Sequence, residues 1–191
     1  GPGDSFGSSA YSVGDVTNFR DAISFTPIVS YSLSSVTLGF GFSGFHDNSI
    51  PVKISIQSDA GGQPSGTVVE SFLESAWALV AGGGEARTTL STSNPTLVAS
   101  TLYWLVVEPT ATSGPIYHTW GWFENSIGMN GFSIRNDLGS WITQTGPTPA
   151  ARIEGVEVPE PSTWGAVVAV TVLGAIVKRR ATRASTVSPG N

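Results

Sequence analysis

Alternation of apolar and polar residues dominates the first 157 positions of the chain. It is clearest in residues 32–42 and 50–57, where apolar side chains occupy every second position, as in strands with one buried face. Residues 102–107 are instead continuously apolar, which predicts a central strand buried on both faces. Further short strands are predicted at residues 19–25, 67–73, 87–90, 96–98, 116–123, 132–134, 141–143 and 152–157.

About ten closely spaced strands without a run of helix formers predict an all-β fold, an antiparallel β-sandwich of jelly-roll-like architecture. The composition agrees, since the 191 residues include 23 glycines and 12 prolines, which suit many turns. We expect residues 1–18 to be a flexible lead-in and residues 19–157 to form the sandwich. A single short hydrophobic helix is expected within the tail, residues 158–191.

That tail has three parts in a fixed order. Pro159, Glu160 and Pro161 come first, and an uncharged apolar run from Trp164 to Val177 follows. The run ends at a basic cluster, residues 178–183, which contains Lys178, Arg179, Arg180 and Arg183. The run of about 14 residues is short of the roughly 20 that a helix needs to cross a bilayer. The basic end predicts a cytoplasmic C-terminus, with the body of the protein outside.

This order of Pro-Glu-Pro, apolar run and basic end closely resembles a PEP-CTERM sorting signal. The resemblance implies an exported bacterial protein whose tail is recognised and processed by an exosortase, with transient anchoring in the inner membrane. It further implies delivery to the cell surface or extracellular matrix, in association with exopolysaccharide and biofilm. The alternative is a simple C-terminal anchor on a proline-rich stalk.

The net charge of the body limits the classes of partner that it can bind. All 14 acidic residues precede position 161 and only five of the nine basic residues do, which gives that part a net charge of −9. Such a charge argues against nucleic acid as a partner.

The chain contains no cysteine and therefore cannot form disulfides. An exported domain of this kind must rely on its hydrophobic core for stability. The start at Gly1 and Pro2 implies either a removed export signal or residues added in cloning.

A second resemblance involves the body. The segments 31–38, 52–66 and 102–107 are similar to those of the choice-of-anchor R domain, an extracellular bacterial module. Residues 56–64, Ile-Gln-Ser-Asp-Ala-Gly-Gly-Gln-Pro, carry most of this similarity. The family implies a fold and an extracellular location but no chemistry.

Two binding hypotheses follow from side chains in turns and strands. Asp47, Asp59 and Asp137 lie in predicted turns and are candidate calcium ligands, although aspartate also favours turns for conformational reasons. No cofactor other than calcium is indicated. The second hypothesis is carbohydrate binding by an aromatic strand, in which exposed tryptophans stack on sugars; the alternative places the indoles in the core. The candidate residues are Tyr117, His118, Trp120 and Trp122.

Catalysis has little support in the sequence. There is no nucleophile elbow, zinc-protease motif or phosphate-binding loop. A glycoside hydrolase would need two carboxylates, and Glu70, Glu74, Glu108 and Glu124 are available without a reason to choose a pair. The sequence therefore favours a non-enzymatic exported surface or matrix protein. The alternatives are a polysaccharide-binding module and, third, a hydrolase.

Overall fold

The computed structural model describes residues 6–13, 20–42, 51–74, 84–110, 120–125, 130–137 and 140–159. These residues form twelve strands and no helix. The strands are β1 (Phe6–Val13), β2 (Arg20–Phe25), β3 (Tyr31–Phe42), β4 (Val52–Asp59), β5 (Pro64–Glu74), β6 (Gly84–Leu90), β7 (Thr96–Leu97), β8 (Tyr103–Pro109), β9 (Trp120–Asn125), β10 (Asn130–Asp137), β11 (Ser140–Pro147) and β12 (Ala151–Glu157). The all-β prediction is confirmed for this part of the chain.

The strands build two six-stranded sheets. Sheet I follows the order β1-β9-β3-β12, with β6 and β7 also paired to β3. Sheet II follows the order β11-β10-β2-β8-β4-β5. Pairing is antiparallel along sheet II, so that neighbouring strands place alternate side chains on the same face.

One hydrophobic core lies between the two sheets, which gives the domain its sandwich-like form. Sheet I contributes Leu33, Val36, Leu38, Phe40, Leu97 and Trp122. Sheet II contributes Ile23, Val52, Ile54, Ile56, Phe72, Tyr103, Leu105 and Val107. The alternating residues of β3 and β4 thus point inward, as their period-2 pattern predicts.

Strand β8 confirms the prediction of a central strand buried on both faces. It lies between β2 and β4. Leu105 and Val107 enter the main core, while Trp104 and Val106 pack on the opposite face with Ala22. The four β8 side chains are at most 2% exposed, which explains why this run has no polar alternation.

The N-terminal region differs from the expectation. Residues 1–18 were predicted as a flexible lead-in, but Phe6–Val13 form β1, which pairs antiparallel with β9. This segment is rich in glycine and serine and has little apolar alternation. Its strand conformation therefore depends on main-chain pairing with β9 rather than on a local pattern.

The chain divides into two compact units, Gly1–Val156 and Glu157–Asn191. The first contains both sheets. Of the second, the structure describes only residues 157–159, so the predicted hydrophobic helix lies outside the described residues.

Candidate functional site

The predicted sorting motif begins directly after the folded sheets. Strand β12 ends at Glu157, and Pro159 is exposed. Glu160, Pro161, the run from Trp164 to Val177 and the basic stop Lys178, Arg179 and Arg180 lie outside the described residues. Within the part of the chain that is described, no helix has the length and hydropathy needed for a membrane crossing.

Trp122 belongs to the core and not to an exposed sugar-binding surface. Its side chain is fully buried, and its ring centroid lies 6.4 Å from that of Phe40. The indole N–H donates a hydrogen bond of 2.8 Å to the Ala150 carbonyl oxygen. The prediction that Trp122 stacks on carbohydrate is therefore wrong, because both faces of the ring are packed. Tyr117, His118 and the Trp120 side chain lie outside the described residues.

Asp59 organises the turn between β4 and β5. Its carboxylate accepts hydrogen bonds from the N–H groups of Gly61 at 3.1 Å and Gly62 at 3.0 Å. These glycines have φ values of 69° and 88°, a conformation that other residues rarely adopt. Asp59 Oδ1 also accepts the Trp104 indole N–H at 2.8 Å.

These contacts explain the motif of residues 56–64 as turn chemistry. Calcium binding at Asp59 remains a prediction, whereas Asp47 and the Asp137 side chain lie outside the described residues. Among the side chains that are described, no group of three or more His, Cys, Asp or Glu residues could hold a metal ion.

Glu70, one of the four candidate catalytic carboxylates, joins the two sheets. It is 6% exposed on β5 and accepts hydrogen bonds from Ser91 Oγ at 2.6 Å, from Thr92 N at 2.8 Å and from Ser93 N at 3.0 Å. Burial by itself raises the pKa of Glu70, but hydrogen bonds from Ser91, Ser93 and Thr92 outweigh burial and lower the pKa below its ordinary value. An ionised carboxylate surrounded by neutral donors suits a structural clamp.

Glu74 and Glu108 also have partners. Glu74 accepts a hydrogen bond from Thr89 Oγ1 and lies 3.8 Å from the guanidinium of Arg87. Glu108 Oε1 is 2.8 Å from Lys53 Nζ. The Glu124 side chain lies outside the described residues.

The outward face of sheet II carries a groove that we call the outer groove. It encloses about 240 Å³. Its lining residues are Arg20, Lys53, Gln57, Pro64, Gly66, Val68, Val106, Glu108 and Trp141. They come from five strands of sheet II, β2, β4, β5, β8 and β11, because alternate residues of neighbouring antiparallel strands share one face.

A charged cluster crosses the outer groove. Glu108, on β8, lies between Arg20 on β2 and Lys53 on β4. Its Oε2 atom is 3.5 Å from Nη1 of Arg20. The guanidinium carbon of Arg20 is 5.8 Å from the ring centroid of Trp141, within the range of a cation–π contact. Gln57 is fixed nearby, since its amide oxygen accepts from Gly66 N and its amide nitrogen donates to Ser55.

A second cavity, the inter-sheet cleft, opens at one end of the core and encloses about 300 Å³. Its lining residues are Ile23, Ser24, Phe25, Thr26, Pro27, Tyr31, Thr148, Pro149, Ala151 and Ile153. Burial, with a smaller effect of Tyr103, raises the pKa of Tyr31, so this phenol is neutral near pH 7. Among the described residues that line the cleft there is no carboxylate, histidine or cation, and these residues form an apolar recess.

Sequence reasoning missed the outer groove. Arg20, Lys53, Glu108 and Trp141 are far apart in the chain and have no common spacing. The available signal was indirect: Arg20 and Lys53 are two of only five basic residues before the tail, and both fall in strands.

No family model matches the chain, and neither a curated protein nor a solved structure matches it.

Proposed function

We propose that this chain is an exported, non-enzymatic surface or matrix protein that an exosortase sorts through its C-terminal tail. The observation that carries the proposal is the position of the tail. Pro159, the first residue of the Pro-Glu-Pro element, is exposed only two residues after the last strand ends at Glu157. A processing enzyme can therefore reach this first residue of the element without unfolding either sheet.

The finer architecture belongs to the same proposal. Two antiparallel sheets around one core support a jelly-roll-like β-sandwich, and the apolar run from Trp164 to Val177 is proposed as a short membrane-embedded helix. The basic residues after it would hold the C-terminus in the cytoplasm. The similarity to the choice-of-anchor R domain supports an extracellular location for the sandwich.

The surroundings of the described carboxylates favour a binding role over catalysis. Glu70 is held by neutral donors of the β6–β7 connection, and Glu74 and Glu108 are paired with cations. Glycoside hydrolysis needs a general acid with a raised pKa. The pKa of Glu70 is instead lowered, so this residue does not meet the requirement. This supports the non-enzymatic proposal.

The test replaces Pro159, Glu160 and Pro161 with alanine and leaves the apolar run and basic end intact. In a host with an active exosortase, we expect the wild-type chain to appear at the surface with a processed tail. The triple variant should stay in the inner membrane at full mass. Arg152→Ala, a change on the exposed part of β12, is the control and should be sorted normally. Unchanged delivery and mass of the triple variant would refute the proposal.

A further inference from the structure

The outer groove combines features that would recognise a carboxylate. Arg20 and Lys53 share the single carboxylate of Glu108, and both remain about 40% exposed, against 16% for Glu108. An ammonium and a guanidinium together carry more N–H donors than one carboxylate can accept. An incoming carboxylate would therefore find unused donors at the surface of the groove.

The charge of the groove is also unusual for this domain. Residues before position 161 carry a net charge of −9, and two of their five cations converge here. The positive site is local, because charges further away than about 8 Å are largely screened at physiological ionic strength. This combination suits a ligand with isolated carboxylates and disfavours densely charged polymers such as nucleic acids.

The remaining lining leaves one apolar side chain exposed to a sugar ring. Val68 is 43% exposed and offers apolar surface to the C–H face of a pyranose, while Trp141 holds the Arg20 guanidinium by a cation–π contact. A volume of about 240 Å³ is below the roughly 300–1,000 Å³ of pockets that enclose a drug-sized ligand. This smaller volume is suited to a single sugar unit rather than to an enclosed oligosaccharide.

We propose that the outer groove binds an acidic polysaccharide with widely spaced uronic acids, whose carboxylate pairs with Arg20 and Lys53. This rests on the proposed function, since such a polymer is what a matrix protein would meet. Glu108 orients the two cations and competes with the ligand for them. Trp141 acts as a positioning residue for Arg20.

The test uses the full chain and hyaluronan, which carries a carboxylate on every second sugar, with carboxyl-reduced hyaluronan as the matched polymer. We expect measurable affinity for hyaluronan, weakened by salt, and at least tenfold less for the reduced polymer. Arg20→Ala and Lys53→Ala should each weaken binding on the order of tenfold, because each removes a charge-assisted hydrogen bond. Arg152→Ala, which removes a cation on β12 of sheet I, should bind as the wild type does.

Glu108→Gln gives the sharpest result. It keeps the shape of the side chain and removes the competing charge, so hyaluronan should bind several-fold more tightly. A merely structural role of the ion pairs predicts no gain. Thermal unfolding of each variant shows whether it is folded, and Glu108→Gln remains informative if an alanine variant is not.

Each of these results would overturn the proposal: no affinity for hyaluronan, equal affinity for the carboxyl-reduced polymer, equal loss in Arg152→Ala, or unchanged or weaker binding in Glu108→Gln. Dextran sulfate, a densely charged polymer, should bind more weakly than hyaluronan; tighter binding would indicate non-selective attraction and also contradict the proposal. The assay needs no exosortase. Absence of binding with normal sorting refutes the groove alone, and failed sorting with intact binding refutes the sorting signal alone.

Discussion

Glu70 and Glu108 lie on the same sheet, yet their surroundings differ in a way that separates structure from recognition. Glu70 is buried and accepts hydrogen bonds from neutral donors between β6 and β7 of the other sheet. Glu108 lies on the outward face and shares two partly exposed cations. A buried carboxylate with matched donors stabilises the fold, whereas a carboxylate with surplus cations leaves donors for a ligand.

The tryptophans repeat this contrast and give the largest expected effect. Trp122→Ala should lower the free energy of unfolding by about 4 kcal/mol, since it empties a packed site and leaves the Ala150 carbonyl without its indole donor. Trp141→Ala should cost only about 1 kcal/mol, because this ring is partly exposed. Urea denaturation of both variants measures the difference. An equal loss of unfolding free energy in the two variants would show that Trp141, in the outer groove, contributes to the fold as much as the buried Trp122 does.

Glu70→Ala should destabilise the protein by about 3 kcal/mol, because several buried donors lose their acceptor together. Glu108→Gln should change stability by less than about 1 kcal/mol, since its cationic partners stay hydrated. The same denaturation experiment checks both. A larger loss in Glu108→Gln would mean that the outer ion pairs support the fold.

Gly155 is an exposed position at which a larger side chain is nevertheless expected to destabilise the fold. It is exposed, but a Cβ at this position would overlap the Tyr31 ring and the Ser32 carbonyl oxygen. Gly155→Ala should therefore cost about 2 kcal/mol, as overpacking usually does. The midpoint of thermal unfolding checks this prediction, with Val156→Ala at a neighbouring exposed position as the control. A shift no larger than that of the control would show that β3 and β12 separate without strain.

The smallest expected effect concerns pH. The folded-state pKa of Glu70 is lowered, so its stabilisation is complete above the unfolded pKa near 4.5 and is lost as pH falls through the folded value. Stability should therefore decrease below about pH 4.5, and less steeply in Glu70→Gln. Ser91→Ala, which removes one donor, should lie between the two. Identical slopes in all three proteins would contradict the assignment of this dependence to Glu70.

Much of the strand pattern could be predicted from the sequence, because burial imposes a period that local residues record. Alternation located β3 and β4, and the continuous apolar run located β8. Strand β1 was missed because its glycine and serine residues carry no such period, and main-chain pairing with β9 supplies its conformation. The turn at Asp59 was predicted, but not its hydrogen bond to the Trp104 indole, which spans 45 positions.

The sequence alone determined that the described part of the chain is an all-β fold with a central buried strand, since these depend on side chains close together in the chain. The sorting tail is likewise a sequence-based prediction, because its three parts are adjacent. Only the tertiary structure decided that Trp122 faces the core and that Arg20, Lys53, Glu108 and Trp141 line one groove. Strand order and register bring those residues together, and a linear pattern records neither.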